Sequence, residues 1–365
     1  MGAHKMDFGG DTNAVFGLGL RRLQPILDEV AGERVTRCAV KVDKEVQGHR
    51  GYSAEKIIPT FLWTTASGRT GETTVFVKWF KDPGPHEARH YKWLSKCGAP
   101  IARMYGSLLT PDKREMIFLE YLDYVDAMHP FDEFLLDAGK FLRFVSAVAR
   151  FNAVRPPVRY ASQLPAWKCA GALRGAHDVL DDVWKHSAAG TLGEQLASAC
   201  IEHAGELGPL HLAIEKVAAP IDRMETGLCH NDLSPDSTCL DPRSGRGVIV
   251  DLESVSIGPR FRDIARWLGG TAQDGRSCVS RQSAAEYYLE EYHRAGGPLV
   301  PVEQLLAEAR LLRFACLVET LWFSLRRAID GRVDWTDDVR EGRRVFREGL
   351  YRAIKALLED VQGCP

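Results

Sequence analysis

The chain has no long apolar run, no marked excess of either charge and no paired-cysteine spacing, and each absence removes a class of function. No stretch reaches the 18 or more apolar residues of a membrane-spanning helix. The opening segment, MGAHKMDFGGDTNAVFGLGL, lacks the apolar core of a secretory signal. A cytoplasmic protein without membrane contact is expected. The formal net charge is −2, from 47 Lys and Arg against 49 Asp and Glu, so nucleic acid has no global electrostatic reason to bind. Nine cysteines are spread over 365 residues without one Cys-x-x-Cys. That argues against a zinc ribbon or a redox pair and leaves reduced, buried thiols. Cys229 and His230 are neighbours at an expected strand end and project to opposite faces, so they form no nucleophile–base dyad. Gly17 and Gly19 in FGLGLRR are followed by Arg22 and preceded by no strand, which excludes a dinucleotide fingerprint. Internal repeats and low-complexity tracts are also lacking.

What the chain does have is a change of texture. Residues 19–31, GLRRLQPILDEVA, have helical spacing. RVTRCAVKVDKEVQ, IIPTFLWTTA and TTVFVKWF then read as strands, separated by the turns GHRGYSAEK and SGRTGE. HEARHYKWLSKCG spaces Ala88, Tyr91 and Leu94 as a helical stripe and stops at Gly98. IARMYGSLLT and EMIFLEYL, across the turn PDKR, complete five strands with one helix inserted after the third. From about residue 130 helical patterns dominate, most clearly FDEFLLDAGKFLRFVSAVARFNAV. Strands first and helices after predict an α+β fold of two lobes, residues 1–120 and 121–365.

The segment CHNDLSPDSTCLDPRSGRGVIVDLESV, Cys229–Val255, interrupts the helical part. Asp232 lies two places after His230, and Asp251 ends the apolar run GVIV. A hairpin through DPRSGRG returns the chain and brings the two acids together. An acid just after a buried strand stands at the mouth of a cleft, where Mg²⁺ takes an oxygen ligand and keeps several waters. Lys78 places an ammonium inside the apolar strand VFVKWF, and Glu87, nine residues on, opens the next helix and is able to pin it. Phosphoryl transfer needs these parts: a cation on the phosphates, carboxylates for Mg²⁺, a base for the acceptor and a backbone cover.

In this order, VFVKWF, HEARHYKWL, IFLEYLD, CHNDLSPDST, VIVDLES and GPRFRDIARWL resemble the aminoglycoside phosphotransferase and choline kinase-like family, within the protein-kinase-like fold. The resemblance spans residues 35 to 270. It implies ATP and Mg²⁺ between a five-stranded N-lobe with one helix and a mainly helical C-lobe. Asp232 would be the catalytic base and Asp251 the Mg²⁺ ligand. Lys78 would contact the α- and β-phosphates, held by Glu87. Backbone groups of Glu120, Tyr121 and Leu122 would bond adenine, and Asp263 would brace the catalytic loop. The turn GHRGYS, ending at Ser53, would cover the phosphates, although it is not the Gly-x-Gly-x-x-Gly of protein kinases. The acceptor would be a hydroxyl of an antibiotic, an amino alcohol or a sugar. Asp334, Asp337 and Asp338 are acidic candidates for a cationic one.

One position departs from the family pattern. The metal-binding asparagine falls at Ser237, five residues after Asp232, with Asp236 beside it. Either Ser237 ligates the metal at shorter reach, or Asp236 replaces it, or the site is degenerate and the chain is a nucleotide-binding or interaction module. Lys78, Glu87, Asp232 and Asp251 together favour an active enzyme. A protein kinase is disfavoured, because the 11 residues between Asp251 and Asp263 (263 − 251 − 1) leave no room for a peptide-docking segment.

Overall fold

The computed structural model describes residues 14–15, 18–45, 54–122, 137–169, 216–233, 237–241, 244–270 and 278–329, with isolated helical positions between 171 and 185. The chain forms two compact units. The first comprises Met1–Met128 and Asp236–Glu253, the second His129–Pro235 and Ser254–Pro365.

In the first unit a short pair, β1 (Ala14–Val15) and β2 (Leu18–Gly19), leads into α1 (Leu20–Ala31). The helix ends because Gly32, at φ 69, adopts the left-handed geometry that a Cβ penalises, and its N–H donates to Asp28 O. An antiparallel sheet follows, built of β3 (Val35–Glu45), β4 (Ala54–Thr65), β5 (Thr70–Pro83), β6 (Met104–Leu109) and β7 (Arg114–Glu120). Its order is β3-β4-β5-β7-β6. Leu23, Ile26, Leu27 and Ala31 recur at helical spacing and are buried with Ile57, Val75, Val77, Trp79 and Phe118. Full burial of each such side chain contributes roughly 1.5–3 kcal/mol. Because strand side chains alternate, Phe76, Lys78 and Phe80 project from the opposite face of β5.

On that face α2 (Ala88–Lys96) starts under the control of a distant carboxylate. Glu115 Oε2, from β7, accepts the N–H groups of His86 (2.9 Å), Glu87 (2.7 Å) and Ala88 (3.2 Å). A carboxylate there satisfies donors that the first turn leaves unpaired and complements the helix dipole. The His86 ring stacks on Phe80 at 4.3 Å. The hairpin of β9 (Thr238–Leu240) and β10 (Gly247–Ile249) completes this unit and joins it through an Ile101–Ile249 bridge.

In the second unit α3 (Ala138–Asn152) is capped by Asp137, whose side chain accepts the Lys140 N–H. It is followed by α4 (Val158–Ala161), the antiparallel pair of β8 (Thr226–Cys229) and β11 (Ser256–Pro259), then α5 (Arg262–Gly270), α6 (Arg281–Arg294) and α7 (Val302–Ile329). Phe141, Phe144, Val148 and Phe151 bury one stripe of α3. Phe144 meets Trp267 of α5 edge-on at 5.1 Å, and Phe261 meets Tyr288 of α6 at 6.0 Å. Among the described residues, no helix is long and apolar enough to cross a membrane.

Candidate active site

Lys78 is 3% exposed, and two carboxylates converge on its ammonium. Glu87 Oε1 is hydrogen-bonded to Nζ, and Asp251 Oδ1 lies 2.8 Å away. Local sequence explains each placement. Lys78 occupies a non-core position of β5, and Glu87 is fixed ahead of α2 by Glu115. Asp251 leaves β10 at φ 64, a left-handed geometry that aspartate tolerates better than most residues. Burial alone would lower the Lys78 pKa, but the carboxylates of Glu87 and Asp251 outweigh it and hold the ammonium charged. Burial also pushes Asp251 up, and Lys78 reverses this, bringing it to about 2. At the fully buried Glu87 desolvation wins over Lys78 and the carboxyl is pushed up to about 8. Lys78 is therefore shared by two acidic groups, Asp251 drawn down by its charge and Glu87 drawn up by burial. Buried ion pairs add little net stability, so the cluster is not explained by folding.

Carboxylate oxygens of Glu87, Asp251 and Glu253 lie within 4.8 Å of one another. Hard oxygen donors of this kind, one of them half-exposed, suit Mg²⁺, which binds through one or two carboxylates and keeps water. The residues present fit the ion. Ser237 is 5% exposed, and its carbonyl accepts the Val250 N–H at 2.9 Å. It is therefore the cross-strand neighbour of Val250, one residue from Asp251, at the open end of the hairpin. Asp236, Ser53, Asp334, Asp337 and Asp338 lie outside the described residues.

The loop after β8 is held from α5. Asp263 Oδ2 accepts the N–H of His230 (2.8 Å) and the Asn152 side-chain amide (2.8 Å), and Oδ1 accepts the Asn231 N–H (2.9 Å). Asn231 sits at φ 69, and its side chain donates to Ser256 Oγ at 2.9 Å and accepts from Arg262 Nε at 2.8 Å. Arg262 in turn reaches Glu319 of α7 at 2.6 Å and lies 4.2 Å over the Trp167 ring. Asp232 follows this locked turn with its side chain exposed.

Glu120 ends β7, with Tyr121 half-buried and Leu122 buried beyond it. The Glu120 N–H donates to Arg103 O at 2.8 Å, so it is not offered to a base, and its carboxylate accepts the Arg103 N–H at 2.7 Å. Sequence reasoning did not anticipate Glu115, Asn152, Asn231, Arg262 or Glu253 as parts of these clusters. Glu253 alone had a local signal, its position two residues after Asp251.

The model of the phosphotransferase enzyme family matches residues 61–315. A search of curated proteins found no match. Among solved structures, the ethanolamine kinase of Plasmodium vivax is 13% identical, with 87% of this chain and 82% of that one covered at a TM-score of 0.54. Aminoglycoside 2'-phosphotransferase-IIIa, solved with GDP, is 12% identical, with 94% and 98% covered at 0.51. APH(2'')-IIa, solved with gentamicin, is 13% identical, with 94% and 96% covered at 0.50. At such identities the likeness establishes the fold, which is α+β and protein-kinase-like.

Proposed function

The chain belongs to the phosphotransferase enzyme family, and from that premise we propose that it moves the γ-phosphate of ATP to a hydroxyl of a small molecule. The observation that carries this reading is the buried Lys78 held by Glu87 and Asp251. A lysine so placed has its charge guaranteed and its direction fixed. When a triphosphate arrives, the ammonium exchanges part of its Asp251 contact for phosphate oxygens, while Glu87 keeps it aimed. Asp251 would hold Mg²⁺, with Ser237 beside it and Asp236 as the competing candidate. Bound Mg²⁺ supplies neutralisation of the phosphate charge. Asp232, exposed on a turn locked by Asp263, orients the acceptor hydroxyl and takes its proton. Adenine is received by backbone groups of Glu120 to Leu122 other than the committed Glu120 N–H, and Ser53 remains the candidate for covering the phosphates.

Acceptors to test are aminoglycosides and amino alcohols, the classes named for the structural neighbours, and sugars. The experiment is a thermal-shift screen of ATP and GTP with Mg²⁺, then a turnover assay with those acceptors. Stabilisation by a nucleoside triphosphate and acceptor-dependent release of the diphosphate are expected. A second reading, a catalytically degenerate nucleotide-binding or interaction module, is motivated by Ser237. Absence of ATP turnover with either Mg²⁺ or Mn²⁺ across the acceptor panel decides for it.

A further inference from the structure

Glu115, 5% exposed, does for α2 what the local sequence does not. Glu87 stands at the N-cap of that helix and makes no side-chain cap bond, because its carboxylate is turned to Lys78. One oxygen of Glu115 receives the N–H groups of His86, Glu87 and Ala88 instead, from a strand 27 to 29 residues further on. Just upstream, the Gly84 N–H donates to Lys113 O at 2.9 Å, at a φ of 120 that a Cβ would oppose. The connector from β5 to α2 is thus laid along the first residues of β7.

The connector delivers two side chains. Glu87 goes to the Lys78 ammonium. His86 stacks on Phe80 at 4.3 Å, with Nε2 3.1 Å from Asp82 O and Nδ1 3.7 Å from Glu253 Oε1. Phe80 in turn has Lys78 Nζ 5.0 Å from its ring centroid. Both deliveries start from amides that the same Glu115 oxygen holds, at 2.9 and 2.7 Å. Starting a helix does not need this. A serine, threonine or aspartate at the N-cap satisfies the free amides locally, and a buried carboxylate carries a desolvation cost that a local cap avoids. A local cap, however, moves with its helix. Glu115 belongs to β7, where Ile117, two residues on, is the direct cross-strand partner of Lys78. The start of α2 is therefore referenced to the same pair of strands that carries the lysine.

Resting on the kinase reading above, we propose that Glu115 is a positioning residue for phosphoryl transfer. It holds Glu87, and through it the Lys78 ammonium, in the orientation that meets the phosphates, and it holds His86 against Glu253. Charge-assisted bonds from consecutive amides to one atom are strong and directional. Removing that atom leaves the lysine its counter-ion but lets the counter-ion shift with the helix start. The loss falls on the reacting geometry rather than on nucleotide affinity, because groups at a reacting centre tolerate little misplacement.

The test is steady-state turnover of MgATP by the wild type, Glu115→Gln and Glu115→Ala, with an acceptor that the wild type phosphorylates, alongside amide hydrogen exchange of residues 84–90 in the ligand-free proteins. Glu115→Ala should lower kcat about tenfold or more, with the KM for ATP within about twofold of the wild type. Its exchange at 84–90 should quicken. Glu115→Gln keeps an oxygen towards the three amides and should retain most of kcat. In a Glu87→Gln background Glu115→Ala should add little further loss, because the group it acts through is already altered. A folded Glu115→Ala with the kcat of the wild type overturns the proposal, even if exchange quickens, and leaves the kinase reading standing. A loss that adds in full to that of Glu87→Gln overturns it too. Should Glu115→Ala not fold, Glu115→Asp, which keeps the charge and withdraws the oxygen by one methylene, decides in the same way: kcat at the wild-type value overturns the proposal. A wild type that turns over no ATP with any acceptor removes the kinase reading and this proposal together.

Discussion

Replacing Lys78 with methionine keeps most of the side-chain volume and removes the charge that two carboxylates share. Leaving a buried ion without its partner costs about 3–5 kcal/mol in general. Two features reduce the figure here. Asp251 is 41% exposed at its side chain and can turn to water. Glu87, already pushed up to about 8 by its burial, takes a proton at neutral pH instead of remaining an isolated anion. A loss of roughly 2–3 kcal/mol follows. It should grow as pH rises past about 8, where the wild-type Glu87 gives up its proton while the Glu87 of the variant, no longer drawn down by Lys78, still has to hold one that the unfolded chain has lost. The double variant Lys78→Met/Glu87→Leu should recover most of the loss, since the group left uncompensated is gone as well. Guanidinium unfolding of the wild type, Lys78→Met, Glu87→Leu and the double variant at about pH 7 and about pH 9 completes the cycle. A single variant within about 0.5 kcal/mol of wild type at both, or a loss that the second substitution does not relieve, would refute the coupling of this pair. Turnover should fall on the order of 10²-fold or more in both variants.

Other outcomes follow from the same geometry. Asp251→Ala should abolish transfer and weaken Mg²⁺-dependent nucleotide stabilisation more than metal-free binding, whereas Asp232→Ala should spare nucleotide binding and remove turnover; thermal shift and a coupled assay separate the two. Ser237→Asn should lower the Mg²⁺ concentration for half-maximal activity, but if Asp236 holds the metal, Asp236→Ala is the damaging change and Ser237→Asn is nearly silent. Wild-type stability should decline as pH rises towards about 8, because the raised pKa of Glu87 contributes stability below the ordinary carboxylate range that is lost through its folded value. Glu87→Gln should flatten that slope in urea titrations. Asp263→Asn places an amide against the donors of His230, Asn231 and Asn152. It should cost about 2–4 kcal/mol, from an unsatisfied buried donor and the loss of charge-assisted bonds, with kcat falling more than nucleotide affinity.

Local pattern carried much of the fold. The helical stripe at 19–31 became α1, Leu20–Ala31, and the apolar run VFVKWF lies within β5. The strand ends were less visible. β4 begins at Ala54 rather than at Ile57, and β5 extends from Thr70 to Pro83, well beyond TTVFVKWF. Partners on both sides supply ladder hydrogen bonds to β4 and β5 whatever the propensity of the terminal residues. Lys78 and Glu87 stood out because a charge inside an apolar strand and an acid at a helix start are local signals. Arg262 and Asn152 did not, because their meaning lies in partners 31 and 111 residues away, Asn231 and Asp263. Glu115 was hidden in the same way, since nothing near it in sequence shows that it fixes the start of α2.

The allotment of Asp236–Glu253 to the first unit has a practical consequence for anyone dissecting the molecule. The polypeptide leaves that unit after Met128, returns for 18 residues (253 − 236 + 1), and leaves again. An amino-terminal fragment ending at residue 128 would carry Lys78 and Glu87 but not Asp251, so its lysine would have lost one of its two counter-ions. A faithful excised sheet would need the β9–β10 hairpin grafted back through a designed linker. Split-protein reporters, domain swaps with relatives and truncation mapping should all treat that short excursion as part of the amino-terminal module.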